Sequence, residues 1–135
     1  MMNRPVILYA DDDPDDREML REYLLQQNSD IEFVEVANGR EALLYLRSIK
    51  GLKSPPALVI LDLNMPVLNG RETLAIMKSE EVTECIPVVA FTTSTSQQDE
   101  AYCRKFGVRM ITKPLSMADI REASTSILGM IGIMI

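Results

Sequence analysis

Histidine is absent from all 135 residues. Its absence removes Ser-His-Asp and Cys-His catalysis, His-ligated zinc and histidine phosphotransfer on this chain. Any chemistry therefore runs on carboxylates, hydroxyls and lysine. Cysteine is scarce: Cys85 and Cys103 lie in apolar or helical contexts without metal-ligand spacing, which reads as two free buried thiols in a reducing cytosol. The Lys and Arg residues form no cluster, and a net charge of -6 argues against a nucleic-acid-binding surface. No direct nucleic-acid partner is expected. The segment Met1 to Ile7 carries no charged-then-apolar leader, so no secretion signal is read and a cytoplasmic location is expected. The uncharged apolar tail Ile127 to Ile135 is far short of the roughly 20 residues that span a bilayer, and no membrane insertion is expected. That tail has two readings, the end of a last helix folded back on the core or a self-association seam that would make a homodimer.

What is present is an alternation of short apolar runs and helix-like segments. Val6 to Ala10 reads as a buried strand, and Asp15 to Gln27 repeats apolar residues at Met19, Leu20, Tyr23 and Leu24, one face of a helix. Ile31 to Val36 alternates in part, as a less buried edge strand would. Arg40 to Ile49 places Leu43, Leu46 and Ile49 on one side. Beyond the breaker Gly51 to Pro56 come a strand from Ala57 to Leu61 and a helix from about Arg71 to Ser79. Pro87 to Phe91, Ser96 to Phe106, Val108 to Thr112 and Ser116 onward complete the series. Five strand–helix units with strands buried on both faces imply a parallel, doubly wound α/β sheet. The length suits one domain over residues 1–135, and such a chain buries roughly two-thirds of its unfolded surface, a sufficient core without staples.

In such sheets the ligand crevice lies beyond the carboxyl ends of the strands, where strand order reverses. The residues at those ends are Asp11 and Asp12 after the first strand, Asp62 after the third, Thr92 and Thr93 after the fourth, and Lys113 after the fifth. Three carboxylates brought together repel one another and shift upward in pKa unless a cation offsets them. All-oxygen ligation completed by water suits Mg²⁺ or Mn²⁺, ions that partner phosphate oxygens. Lys113 adds a point charge and Thr92 a hydroxyl donor, both suited to an anion. Together these parts describe a phosphoryl group on Asp62, formed by in-line attack of its carboxylate on a phosphorus donor. A phosphohistidine donor would have to sit on another protein.

The segments Ile7 to Asp16, Leu61 to Gly70, Pro87 to Ser94 and Thr112 to Pro114 occur in an order and approximate spacing that resembles the receiver domains of two-component response regulators. The resemblance spans essentially the whole chain. It is greatest to the stand-alone receivers associated with phytochrome-type and other sensor kinases, whose fourth strand commonly ends in Thr-Thr-Ser, here Thr92 to Ser94. It implies a flavodoxin-like fold with strand order 2-1-3-4-5, Asp62 as phosphoacceptor, Asp12 as a direct metal ligand and Asp11 as one acting mainly through water. The Asn64 carbonyl would complete the protein's share of the metal shell, Thr92 and Lys113 would each bond a phosphoryl oxygen, and the Lys113–Pro114 bond would be cis. It further implies a sensor histidine kinase or a histidine phosphotransfer protein as partner, and no enzymatic activity beyond the domain's own phosphorylation and dephosphorylation. With no output domain, signalling would run through protein contacts or onward relay.

One position departs from the pattern. Three residues before the lysine, where many receivers carry an inward-swinging Tyr or Phe, stands Met110, flexible but without ring or hydroxyl. A pseudo-receiver that binds partners without phosphorylation is the alternative this favours. A phosphatase of the haloacid-dehalogenase type also uses an aspartyl phosphate, but it wants an acid two residues after the nucleophile, where Asn64 stands. The acids Asp13, Asp15 and Asp16 are read as helix-start chemistry, with Asp13 as N-cap and Pro14 at the first helical position. The mostly polar helix Ser96 to Lys105, with Ala101, Tyr102, Cys103 and Phe106 turned inward, is the candidate partner surface.

Overall fold

Four helix starts are written into the chain as capping side chains. Asp13 accepts from the amides of Asp15 and Asp16 ahead of α1 (Pro14–Gln27), with Pro14 at its start. Asn69 and Glu72 form a reciprocal capping box on α3 (Gly70–Ser79). Ser96 caps α4 (Gln97–Lys105) and Ser116 caps α5 (Met117–Met130). Together with α2 (Gly39–Ser48) these helices alternate with β1 (Val6–Ala10), β2 (Glu32–Val36), β3 (Leu58–Leu61), β4 (Val88–Thr92) and β5 (Arg109–Thr112). The computed structural model describes residues 4–48, 55–114 and 116–131.

The strands form one parallel sheet in the order β2-β1-β3-β4-β5. Strand alternation explains why whole strands read as apolar: Leu8, Ala10, Val59, Leu61, Val88 and Ala90 face one side, against Leu46, Leu74, Met77 and Cys103. Ile7, Tyr9, Leu58, Ile60, Val89 and Phe91 face the other, against Leu20, Leu24, Ile127 and Leu128. Each fully buried aliphatic side chain contributes about 1.5–3 kcal/mol. An edge ion pair such as that of Arg17 with Glu35 on β2, half-buried at 3.1 Å, contributes nearer 0–1 kcal/mol. The two apolar layers therefore hold the sheet.

Element order, strand order and burial match the expected fold, with boundaries one or two residues away at several ends. Two side-chain expectations and one backbone expectation are corrected. Cys85 is exposed in the loop before β4, and only Cys103 is buried. Ala101 is exposed on α4, because Asp99 and Cys103 occupy its inward face. The Lys113–Pro114 bond is trans, as is every peptide bond among the described residues; trans is the form such amides favour by about 0.5–1 kcal/mol. Ile49, the breaker up to Ser54 and the tail from Gly132 lie outside the described residues. Within them, Ile127 and Leu128 belong to the core and Met130 and Ile131 pack against it, which is the folded-back reading of that helix end.

The loop from β3 to α3 is drawn tight. Gly70 lies so close to the end of β3 that a Cβ there would stand 2.1 Å from the Asp62 carbonyl oxygen and 2.7 Å from Leu63 Cα. Both neighbours are backbone and cannot rotate away. Within the same loop Val67 adopts φ 68°, a left-handed conformation, with its side chain 73% exposed. Such a conformation costs a β-branched residue about 1–2 kcal/mol. Two outcomes follow. Gly70→Ala is expected to destabilise the fold by about 2 kcal/mol or more, because the overpacking is against main chain. Val67→Gly should stabilise by roughly 0.5–1 kcal/mol, the relieved strain less glycine's extra unfolded-state entropy. Urea midpoints of both variants check the pair.

Candidate functional site

The parallel ladder delivers each strand-end residue to one edge of the sheet. Asp62 N–H donates to the Ala10 carbonyl at 3.0 Å, Asp11 N–H to the Val36 carbonyl at 3.1 Å, and Lys113 N–H to the Thr92 carbonyl at 2.7 Å. Asp11 and Thr92 are fully buried and Asp62 is 4% exposed. Asp13 N–H fixes Asp11 Oδ1 at 2.9 Å, and Asn64 N–H fixes Asp62 Oδ1 at 3.1 Å. Each buried carboxylate thus has one oxygen tied to its own loop and the other turned into the site.

Lys113 closes the cluster. Its Nζ lies 2.8 Å from Asp11 Oδ2, 2.8 Å from Asp16 Oδ2 and 3.1 Å from Asp62 Oδ2. Burial lowers the pKa of this ammonium, but hydrogen bonds to Asp11 and Asp16 more than offset it, and Lys113 stays protonated well above the ordinary lysine range. Asp11 moves the other way. Its burial outweighs the bond from Lys113, and its carboxyl is pushed up to about 6. The Tyr9 hydroxyl, 3.5 Å from Asp11 Oδ2, is raised by burial and by the neighbouring carboxylates, so it stays a neutral donor.

Carboxylate oxygens from Asp11, Asp12 and Asp62 all lie within 4.8 Å of one another, with Asp12 exposed at the mouth. An all-oxygen set of this kind, carrying more negative charge than one ammonium offsets, fits a hard divalent cation. The expected residues Asp11, Asp12, Asp62 and Lys113 converge, and Thr92 ends the adjacent strand with its Oγ1 accepting from Ser94 N–H at 3.3 Å. Asn64 is exposed on the loop that follows Asp62.

Two features went unread in the sequence. Asp16 is more than a helix-start acid, because its carboxylate is a third anchor for Lys113. A signal for it existed: Asp16, Leu20 and Leu24 fall at i, i+4 and i+8, so the acid shares the inward face of α1. The second is the fork of Arg71 on Asp99, with Nε to Oδ1 at 2.6 Å and Nη2 to Oδ2 at 2.7 Å. No periodicity relates residues on two different helices, so that pair had no sequence signal.

The raised carboxyl gives a pH prediction. Asp11 titrates near pH 6 when folded, above an unfolded value of about 3.9, so its contribution to stability is present below about pH 4 and is lost as pH rises through 6. In chelator-treated protein at pH 7, Asp11→Asn is therefore expected to be more stable than the native chain by on the order of 2 kcal/mol. The difference should shrink toward pH 4. Thermal unfolding of both proteins across that range is the check.

Comparison with known proteins agrees with this geometry. The family model of the response regulator receiver domain matches residues 7–125. The chain is 31% identical over 118 residues to the response regulator Rcp1 of Synechocystis, covering 85% of this chain and 80% of that protein. The Mn²⁺-bound structure of Rcp1 superimposes with a TM-score of 0.82 at 30% identity, over 93% of this chain and 92% of that one. The phosphorylated cyanobacterial phytochrome response regulator RcpA superimposes with a TM-score of 0.83 at 32% identity, covering 93% of this chain and 91% of that one. A further match, to the probable methanogenesis regulatory protein FilR2 of Methanothrix harundinacea, is 42% identical over 88 residues, 63% of this chain and 56% of that protein. With the fold, the strand-end carboxylates and the lysine in place, this chain belongs to the response regulator receiver domain family.

Proposed function

We propose that this protein is a stand-alone receiver whose Asp62 accepts a phosphoryl group from a phosphohistidine on a partner sensor histidine kinase or histidine phosphotransfer protein. The observation that carries the reading is Asp62 Oδ2, buried at the strand end and 3.1 Å from Lys113 Nζ, with Asp11 and Asp12 alongside. In the step, an Asp62 carboxylate oxygen forms a P–O bond as the donor's P–N bond breaks. The bonding pair leaves with the imidazole, which takes up a proton. Little covalent chemistry falls to the protein, so positioning and charge neutralisation are the catalysis.

The residues divide that work. Asp62 is the nucleophile, its Oδ1 held by Asn64 N–H so that Oδ2, the oxygen Lys113 contacts, faces the site. Lys113 supplies a positive charge for a phosphoryl oxygen and gives up one carboxylate contact to do so. Thr92 offers its hydroxyl at the neighbouring strand end. Mg²⁺ or Mn²⁺ would be held by the Asp11, Asp12 and Asp62 carboxylates and the Asn64 carbonyl. When bound, the ion would neutralise charge on the transferring group and on the clustered acids.

The likeness to Rcp1 and RcpA supports a partner of the phytochrome type among sensor kinases. Net charge -6 and the absence, among the described residues, of any helix long and apolar enough to cross a membrane are consistent with a cytoplasmic protein that signals or relays through protein contacts.

Intact-protein mass after incubation with acetyl phosphate tests the proposal. With Mg²⁺ the native chain is expected to gain one phosphoryl group, and Asp62→Asn to gain none while retaining native circular dichroism. A gain that persists in chelator, or in Asp62→Asn, would remove Asp62 from the role assigned to it. If neither acetyl phosphate nor a phosphorylated histidine phosphotransfer protein labels the native chain, the pseudo-receiver favoured by Met110 is the better description.

A further inference from the structure

The ammonium of Lys113 meets three carboxylate oxygens with its three N–H donors. Two of those oxygens have a second claim on them. Asp11 Oδ1 is held by Asp13 N–H and Asp62 Oδ1 by Asn64 N–H, which leaves Oδ2 of each as the oxygen that faces the site. Asp11 and Asp62 are also the carboxylates that gather with Asp12 within 4.8 Å, so a divalent cation there would draw on the same oxygens as Lys113. A phosphoryl group on Asp62 would take an oxygen of that carboxylate outright. Asp16 stands outside the trio. Among the described residues, its carboxylate is the partner of Lys113 that neither a cation nor a phosphoryl group needs.

Helix α1 fixes Asp16 in place. It is the third residue of that helix, its N–H donates to the cap Asp13 Oδ1 at 3.4 Å, and Leu20 and Leu24 on the same face are buried in the core. The Asp16 side chain is 27% exposed and that of Lys113 11%, so their 2.8 Å contact is partly shielded from water, where a charge-assisted hydrogen bond holds its geometry well. Beneath the pair, Leu20, Phe91, Pro114 and Ile120 wall a cavity of about 20 Å³. That is room for about one water, too little for the ammonium to withdraw into. The contact with Asp16 does not pull Lys113 off the acceptor either, because Nζ makes it while standing 3.1 Å from Asp62 Oδ2.

We propose that Asp16 is a positioning residue for Lys113, keeping its ammonium over the acceptor when a cation and a phosphoryl group take up the oxygens of Asp11 and Asp62. The inference rests on Asp62 accepting a phosphoryl group. It gives Asp16 an effect opposite in sign to that of its bare charge. A negative charge beside the acceptor repels an anionic donor, so charge alone would make removal of Asp16 speed phosphorylation. Loss of a tether on Lys113 slows it.

Two measurements on the full chain test the role. The first is the initial rate of mass gain from acetyl phosphate at saturating Mg²⁺. The native chain is expected to label, and Asp16→Ala to label about tenfold more slowly, the rate equivalent of one charge-assisted hydrogen bond. The second is the ¹⁵N resonance of the Lys113 ammonium with Mg²⁺ and no donor, assigned by its loss in Lys113→Met. A tethered ammonium keeps its protons long enough to be seen, so the signal is expected in the native chain and not in Asp16→Ala. A purely structural contribution of Asp16 to α1 would leave that signal in place. Should Asp16→Ala fail to fold, Asp16→Asn removes the charge at constant size and is expected to move both readouts the same way. Labelling of the variant at the native rate or faster, a Lys113 signal that survives in the variant, or no such signal in the native chain overturns the role of Asp16 and leaves the acceptor assignment standing. No mass gain in the native chain overturns the acceptor assignment and the role of Asp16 with it.

Discussion

Four carboxylates facing one ammonium is the constraint on which the rest of this structure depends. Asp11, Asp16 and Asp62 are in direct contact with Lys113, and Asp12 stands at the mouth of the same site. Like charges in a poorly solvated crevice repel strongly. The fold therefore spends stability to keep this edge of the sheet acidic. The upward shift of Asp11 is the sign of that cost. The same surplus of negative charge is what makes the Asp11, Asp12 and Asp62 cluster fit a hard divalent cation.

The sheet makes the crowding unavoidable. Strand order reverses at β1, so α1 and α2 pass to opposite faces and a gap opens between the loops that follow β1 and β3. Asp11 and Asp62 are paired neighbours across that gap because Ala10 and Leu61 are in register. Buried apolar layers on both faces fix that register, since a slip of one residue would turn every side chain to the wrong layer. The close approach of Gly70 to Asp62 and the left-handed Val67 show the β3–α3 loop drawn tight around Asp62.

Around this centre lie contacts that join separate elements. Met110 removes the ring that many receivers use, while the fork of Arg71 on Asp99 ties the loops after β3 and β4 to α4. Asp16 adds a carboxylate to the lysine's partners.

Much of this was legible in the residues themselves. Continuous apolar runs such as Ala57 to Leu61 give parallel strands buried on both faces, a cap such as Asp13 gives a helix start, and an acid directly after a strand gives Asp11 and Asp62 their place at one edge. These are local consequences of backbone geometry, and they needed no tertiary information. What the sequence did not determine lies between elements. The exposure of Cys85 and Ala101 depends on which face packs. Asp16 reaches Lys113 across 97 residues and Arg71 reaches Asp99 across 28. Pattern and propensity decide each element, but which charge meets which is decided only when packed helices bring distant side chains within hydrogen-bond range.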